Sequence, residues 1–401
     1  MKRILLLLAA VCMLAACSRP AAPTLLDEIN ASLDLAVKQS LRMAASLEGR
    51  SVLPQTISRG TLKTSNSSWW TSGFFGGQLW NLYDYSRNDS LRMWAEDYTM
   101  RVADQRFTTD NHDVGFMIFC SFGNGYRITG NPRYREIIDT ASQSLITRFK
   151  PSTGCIRSWD DRRWQYAVII DNMMNLEMLM WAGKTFQNPV YTDIAVTHAN
   201  TTMKNHFRPD YSTWHVVSYD TITGVPDRKQ TAQGYNDDSA WARGQSWGLY
   251  GYTMMFLEAR DSAYLRQAEH IADFLIGHPN MPEDKIPYWD YNAPDIPDAL
   301  RDVSSAAIMC SALIELADYT DAERSATYMA VAEQQLKSMC SPAYRAPLGE
   351  NCNFLLMHGV GNMPGRSEID VPLTYADYYY VEAMLRYRSR MMRSATASAG
   401  K

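Results

Sequence analysis

Residues 114–122 read VGFMIFCSF, residues 130–132 read GNP, and residues 134–149 read YREIIDTASQSLITRF. The first run is apolar nearly all round and rich in small residues, as in a helix buried on every side. In the last run apolar side chains fall at 134, 137, 138, 141, 145 and 149, one stripe of a helix whose other face meets water. Between the two, Gly130 stops one helix and Asn131-Pro132 starts the next.

This unit recurs along the chain. Tyr264, Ala268, Ile271, Ala272 and Leu275 repeat the amphipathic spacing, and Ile308 to Leu316 repeats the fully apolar kind. Arg87-Asn88-Asp89-Ser90, Gln187-Asn188-Pro189 and Arg260-Asp261-Ser262 repeat the turn. Buried segments begin near Ser72, Asp113, Asp171, Ala240, Ser304 and Thr374, and amphipathic ones near Leu26, Leu91, Tyr134, Tyr191, Tyr264 and Ala326. Six of each close naturally into an all-α, (α/α)6 toroid of six inner and six outer helices. No long Pro/Gly/Ser linker interrupts residues 25–390, which argues for one domain over two, followed by a C-terminal tail at 391–401.

Composition narrows the function. The chain has 401 residues, 46% apolar and 20% charged, which excludes disorder. Its net charge of −4 and lack of a basic run argue against a nucleic-acid partner. At the N-terminus, Lys2-Arg3 and the apolar stretch Ile4 to Ala16 read as a signal peptide (1–16), too short to span a bilayer. It ends Leu14-Ala15-Ala16-Cys17, similar to a bacterial lipoprotein box in which Cys17 is lipidated; 17–24 then forms a lipidated tether. Ser18 is not the aspartate that favours inner-membrane retention, so the expected location is the periplasmic face of the outer membrane, with the membrane touched through the anchor alone. Cys120, Cys155, Cys310, Cys340 and Cys352 are odd in number and irregularly spaced, so buried free thiols are expected.

The chemically loaded stretches sit just before, or in the first turn of, the buried helices. They are 69–74, 111–116, 169–172, 241–247 and 301–305. Parallel inner helices bring them to one end of the barrel. Asp171 lies among Val168-Ile169-Ile170 and Met173-Met174, so desolvation should raise its pKa into the range of a working acid. Asp113 occupies the equivalent place in a neighbouring repeat, and paired acids are the usual apparatus of glycoside chemistry. A helix-capping role stays open for both. Trp70, Trp159, Trp214, Trp241, Trp247 and Trp289 could stack on sugar rings or simply fill core, with His215 and Gln233 as further pocket candidates. Arg243 at the head of a buried helix needs a carboxylate or an anionic ligand, and Asp237 or Asp238 is near enough in sequence to serve. The seven histidines are dispersed, so no metal site is expected. No phosphate-binding loop or nucleophile elbow occurs. Gly73-Phe74-Phe75-Gly76-Gly77 reads as close helix packing.

Taken in order, these residues resemble the unsaturated glucuronyl hydrolases of glycoside hydrolase family 88. The stretches are Trp-Thr-Ser-Gly-Phe at 70–74, His-Asp-Val-Gly-Phe at 112–116, Ile-Ile-Asp-Asn-Met-Met-Asn at 169–175, Ala-Trp-Ala-Arg-Gly-Gln-Ser-Trp at 240–247, and 301–307, 368–373 and 375–379. The resemblance implies an (α/α)6 enzyme that removes a Δ4,5-unsaturated glucuronate from the non-reducing end of lyase-generated oligosaccharides. It implies Asp171 as general acid and base and Asp113 as the second carboxylate. His112 falls in the pocket set. Trp70, His215, Gln233, Arg243 and Trp247 match positions that contact the unsaturated sugar, and Trp159 one beside its neighbour. No cofactor and no protein partner is implied, so a monomer is expected. Three alternatives are a family 105 unsaturated galacturonyl hydrolase acting on pectin fragments, a sugar epimerase on the same barrel type, and a non-catalytic glycan-binding lipoprotein.

Overall fold

The computed structural model describes residues 22–399. The signal segment 1–16, Cys17 and the start of the tether lie outside the described residues. Twelve helices alternate between an outer and an inner ring. The outer helices are α1 (Leu25–Ser46), α3 (Asp89–Met100), α5 (Pro132–Ile146), α7 (Pro189–Asn205), α9 (Ser262–Gly277) and α11 (Ala322–Cys340). The inner helices are α2 (Phe74–Ser86), α4 (Val114–Ile118, a π turn Phe119–Gly123, then Asn124–Thr129), α6 (Leu176–Phe186, entered through a 3-10 turn Ile170–Asn175), α8 (Ala242–Ala259), α10 (Val303–Leu316) and α12 (Thr374–Ala399). Each inner helix packs on the next, and α12 closes the ring against α2. Instead of ending at 390, α12 runs through the expected tail to Ala399.

Two kinds of helix start separate the rings. Outer helices begin at a side chain that caps the backbone: Thr24 in a capping box with Asp27, then Asn88, Asn131, Asn188, Asp261 and Asp321. Four of these caps follow a residue in the left-handed region that ends the inner helix: Arg87, Gly130, Gln187 and Arg260, at φ 55°, 66°, 54° and 57°. This left-handed residue followed by Asn or Asp is the turn repeated in the sequence. By contrast, α2, α4, α6 and α8 start with no cap from their own N-cap side chain; first-turn N–H groups are met instead by distant groups, as where Asn175 accepts from the Phe116 N–H and the Trp289 carbonyl from the Ala242 N–H.

The inner-to-outer turns are short; the outer-to-inner connections are long and hold all nine strands of the described residues. Strands β1 (Leu53–Ser58) and β2 (Thr61–Ser65) form a hairpin, as do β3 (Phe149–Lys150) and β4 (Cys155–Ile156), and β8 (Gly359–Asn362) and β9 (Ser367–Val371). Strands β5 (Ala167–Ile169), β6 (Val216–Tyr219) and β7 (Pro226–Gln230) make an antiparallel sheet. All of this decorates one end of the toroid, called the mouth below; the opposite end carries the tight turns.

Inner helices α2 and α4 approach so closely that glycine is required. A Cβ on Gly73 would strike the carbonyls of Phe116 and Met117, and one on Gly77 the carbonyl of Cys120 in the π turn. Both obstacles are backbone, which cannot rotate away. Gly77→Ala is therefore expected to destabilise the fold by about 1–3 kcal/mol, read as a lower urea midpoint at unchanged slope.

Candidate active site

A cavity of about 330 Å³ opens at the mouth, lined by Ser68, Trp69, Trp70, Asn111, His112, Asp113, Trp159, Ile169, Asp171, Gln233 and Arg243. A larger cavity of about 720 Å³ fills the barrel from the other end, but its central Glu382 already accepts from Tyr250 and Ser311 and pairs with Arg386 at 3.8 Å.

The three-stranded sheet aligns the chemistry. Asp171 follows the end of β5 at Ile169, His215 precedes the start of β6 at Val216, and those two strand ends are paired in register. The Ile170 N–H donates to the His215 carbonyl at 3.1 Å. Beyond the end of β7, the N–H groups of Ala232 and Gln233 donate to His215 Nδ1 at 3.1 and 3.2 Å. With Nδ1 an acceptor, the ring's proton sits on Nε2, which faces Asp171 Oδ2 at 3.7 Å. Burial and then the nearby Arg243 charge lower the His215 pKa to about 3, so it is a neutral donor. Trp241 supports the ring at 4.3 Å between centroids.

Asp113 has a matching partner. Asn175 Oδ1 accepts from the Phe116 N–H at 2.9 Å, which turns its Nδ2 toward His112 Nδ1 at 3.5 Å. The proton of His112 therefore lies on Nε2, 3.4 Å from Asp113 Oδ1. Burial lowers the His112 pKa to about 3. The site thus contains two carboxyl groups, each faced by the Nε2–H of a buried neutral imidazole.

Neither aspartate caps a helix: no side-chain cap hydrogen bond occurs at the start of α4 or of the 3-10 turn before α6. Burial raises Asp171 to about 7, against an opposing pull from Arg243 and the Trp247 indole. Burial raises Asp113 to about 7 as well, and the Asp171 charge adds to the rise. One oxygen of Asp171, Oδ2, is buried without a hydrogen bond among the described residues.

Arg243 is 1% exposed. Its partner is Asp302, at 3.1 Å, and not Asp237 or Asp238, which the turn after β7 holds elsewhere: the Asp237 carboxylate accepts from the Thr231 N–H. The guanidinium also donates to the carbonyls of Val360 (2.6 Å) and Gly361 on β8, and lies between the rings of Trp241 and Tyr375. Three bonds leave two of five N–H groups for the cavity. Asp302 simultaneously caps α10 through Ser304 and accepts the Val360 N–H. Gln233 reaches the same Gly361 carbonyl at 3.4 Å.

The tryptophans divide sharply. Trp70 and Trp159 line the cavity, joined by Trp69, which sequence reading had left outside the pocket candidates. Trp247 lies behind Asp171, fully buried against Phe116 and Tyr379, and Trp241 lies behind His215. Trp214 is sandwiched by Arg208 and Lys229, and Trp289 packs in a cluster beside β8. His215 too is behind the wall, so its contact with the cavity runs through Asp171. Asn111 and Asp302 fall within the loaded stretches 111–116 and 301–305 but carry no individual role in the sequence reading, and Ser68 lies just outside 69–74; Asp302 has a signal, since it precedes Ser304 by two residues at a helix start.

Residues 49–289 match Glycosyl Hydrolase Family 88. The chain is 45% identical over 327 residues to an unsaturated glucuronyl hydrolase of Formosa agariphila, covering 81% of each chain. This protein belongs to glycoside hydrolase family 88. It is 32% identical over 326 residues to an unsaturated chondroitin disaccharide hydrolase of Streptococcus pneumoniae, covering 79% of this chain and 81% of that one. Among solved structures, an unsaturated glucuronyl hydrolase specific for heparin superposes with a TM-score of 0.89 at 45% identity, covering 91% of this chain and 98% of the other. The enzyme from Bacillus sp. GL1 gives 0.83 at 27% identity, covering 90% and 96%. The family 88 enzyme described here is a glycoside hydrolase, and the carboxyls of Asp113 and Asp171 line its mouth cavity.

Removing one member of a buried ion pair leaves the other charge unpaired. Asp302→Ala is expected to lower stability by about 3–5 kcal/mol, measured by urea denaturation. Asp302→Asn, which keeps an acceptor for Ser304 and Val360, should lose less.

Proposed function

We propose that this enzyme removes Δ4,5-unsaturated glucuronate from the non-reducing end of glycosaminoglycan disaccharides released by lyases. The observation that carries the reading is the Asp171 carboxyl: it lines a sugar-sized cavity beside Asp113, is held near pKa 7, and has its inner oxygen Oδ2 facing His215 Nε2. Around it stand groups suited to an unsaturated uronate. The two remaining Arg243 N–H groups suit its carboxylate. Trp70 and Trp159 offer ring faces, and Asp113 accepts hydroxyl hydrogen bonds.

The substrate contains a vinyl ether. Protonated Asp171 gives its proton to C4; positive charge develops at C5 and is shared by the ring oxygen. Water, losing its proton to the same carboxylate, adds to C5, and Asp171 returns to its acid form. The hemiketal opens and releases the remaining saccharide, so the anomeric bond is not attacked. His215 orients the carboxyl through Nε2–H. Asp113 binds the sugar from the neighbouring helix. The relatives include proteins named for chondroitin disaccharides and for heparin, and these two classes lead the substrate panel.

We further propose that Cys17 carries the lipid anchor, that the protein is exported to the periplasmic face of the outer membrane, and that it works there as a monomer. The sequence Leu14-Ala15-Ala16-Cys17 supports the anchor. Cys17→Ala is expected to move the enzyme from the membrane pellet to the soluble fraction.

Two further outcomes are expected of the purified enzyme. With unsaturated disaccharides from chondroitin, heparin, hyaluronan and pectin, the ultraviolet absorbance of the conjugated C4=C5 carboxylate should decay on glycosaminoglycan substrates. Asp171→Asn should reduce that rate by roughly 10²–10⁴-fold, and full activity of this variant would sink the mechanism. Because the acid form of Asp171 starts the reaction, the rate should be full below its pKa and fall as pH rises through about 7. The decline above it approaches tenfold per pH unit. Asp171 with its two neighbours, Asp113 and His215, sets that limb; His215→Asn, which removes the Nε2–H facing Oδ2, should shift it.

A further inference from the structure

We propose that the end of the toroid opposite the mouth is the face turned toward the membrane, so that the anchored enzyme presents its catalytic cavity to the soluble side. The proposal rests on the reading of Cys17 as the acylated residue.

Helix α1 runs antiparallel to the inner helices. Its C-terminal half belongs to the mouth: Gln39 donates to the carbonyls of Glu350 and Phe354, and Arg42 to Asn353, in the loop before β8. Its N-terminal half belongs to the other end. There Asn30 accepts from Arg388 at 3.2 Å, late in α12, and Asp34 accepts from the Tyr85 hydroxyl at 2.9 Å, one residue before α2 stops. Leu25 lies more than two further helical turns beyond Asp34, so the chain enters the fold at the far end.

Covalent reach then limits the orientation. Seven residues, hence eight residue-to-residue steps, separate Cys17 from Leu25, a span of at most about 28 Å at ~3.5 Å per step. The inner helices α2 and α8 have 13 and 18 residues, which is about 20–27 Å of barrel at 1.5 Å per residue. Placing the mouth against the bilayer would require the tether to run the whole barrel height fully stretched, and then pass the strands that extend the mouth further. With the far end against the bilayer no such stretch is needed.

One patch of the far end suits a headgroup layer, beside outer-helix starts that carry Asp27, Glu28, Asp89, Asp321 and Glu323. Helix α12 overshoots its neighbours: Arg390 and Arg393 reach Asp318, two residues past the end of α10. At that level Met392 is 51% exposed, and a shallow groove along the end of α12 combines Leu385 and Met392 with Arg388 and Arg393. Guanidinium groups beside exposed apolar side chains suit the phosphate and upper acyl region of a phospholipid layer.

The test uses the full chain, processed and lipidated in a Gram-negative host, with Cys120 and Cys352 replaced by serine. A single reporter cysteine is placed at Ser90→Cys, at the far end, or at Ser58→Cys, the last residue of β1 at the mouth; both positions are exposed. Each labelled protein is reconstituted in phosphatidylethanolamine–phosphatidylglycerol vesicles that carry a headgroup quencher, and retained hydrolase activity reports correct folding. Quenching at Ser90 at least threefold stronger than at Ser58 is expected. Equal quenching, or stronger quenching at Ser58, from vesicle-bound protein overturns the orientation while leaving the anchor intact. Absence of acyl groups on the N-terminal peptide by mass spectrometry, or vesicle binding undiminished by Cys17→Ala, overturns the anchor and the orientation together.

Discussion

A positive charge buried at the mouth organises this molecule. Arg243 is as enclosed as a core leucine, and a lone cation there would be untenable. Its guanidinium is therefore matched by Asp302 at the head of α10 and by two carbonyls of β8. Those bonds tie α8, α10 and the β8–β9 hairpin together at one point. The same Asp302 carboxylate accepts from Val360 and from Ser304, so the hairpin cannot shift without disturbing both a helix cap and an ion pair. One wall of the cavity is rigid for this reason.

The charge acts on the acid as well as on the scaffold. Burial alone would drive Asp171 far up, and an acid that never ionises cannot take a proton back from water. The Arg243 field and the Trp247 indole pull against burial, and the balance stands near 7. At that value both protonation states are accessible to one carboxyl, which a mechanism using the same group first as acid and then as base requires. The neutral imidazoles serve the same end. Each gives a carboxylate an oriented N–H without adding a second full charge that would lower its pKa further.

What could be read from the chain followed the range over which each force acts. The helix alternation was legible because it rests on apolar periodicity and on local turn chemistry, as in Gln187-Asn188-Pro189. Asp171 and Asp113 were legible as carboxyls at helix starts within apolar sequence. The strands were not: β3, β4 and β5 are two or three residues long, too short for alternation to register, and they exist because partners far along the chain satisfy them. Arg243 was correctly read as needing an anion, but its partner lies 59 residues away rather than at Asp237. The tryptophans defeated sequence reading for a related reason. Trp70 and Trp247 sit in similar motifs, yet the first residue precedes its helix and meets the cavity, while the second lies inside α8 and meets core.

The asymmetry between the two ends of the toroid explains why all the chemistry collects at one of them. A left-handed residue followed by a capping Asn or Asp spends its polar groups on closing a helix turn, and four of the turns at the far end are built this way. At the mouth, the inner helices α2, α4, α6 and α8 begin without a cap from their own N-cap side chain, and the long connections that enter them leave Asp, His and Trp side chains without a local structural task. The positive ends of the inner-helix dipoles make that end favourable for an anion. A carboxylated sugar entering there meets the Arg243 guanidinium, together with two acids that are costly to ionise. The positive end of the inner ring thus draws the uronate in, and the low dielectric that hinders Asp171 from losing its proton to solvent is what readies that proton for carbon.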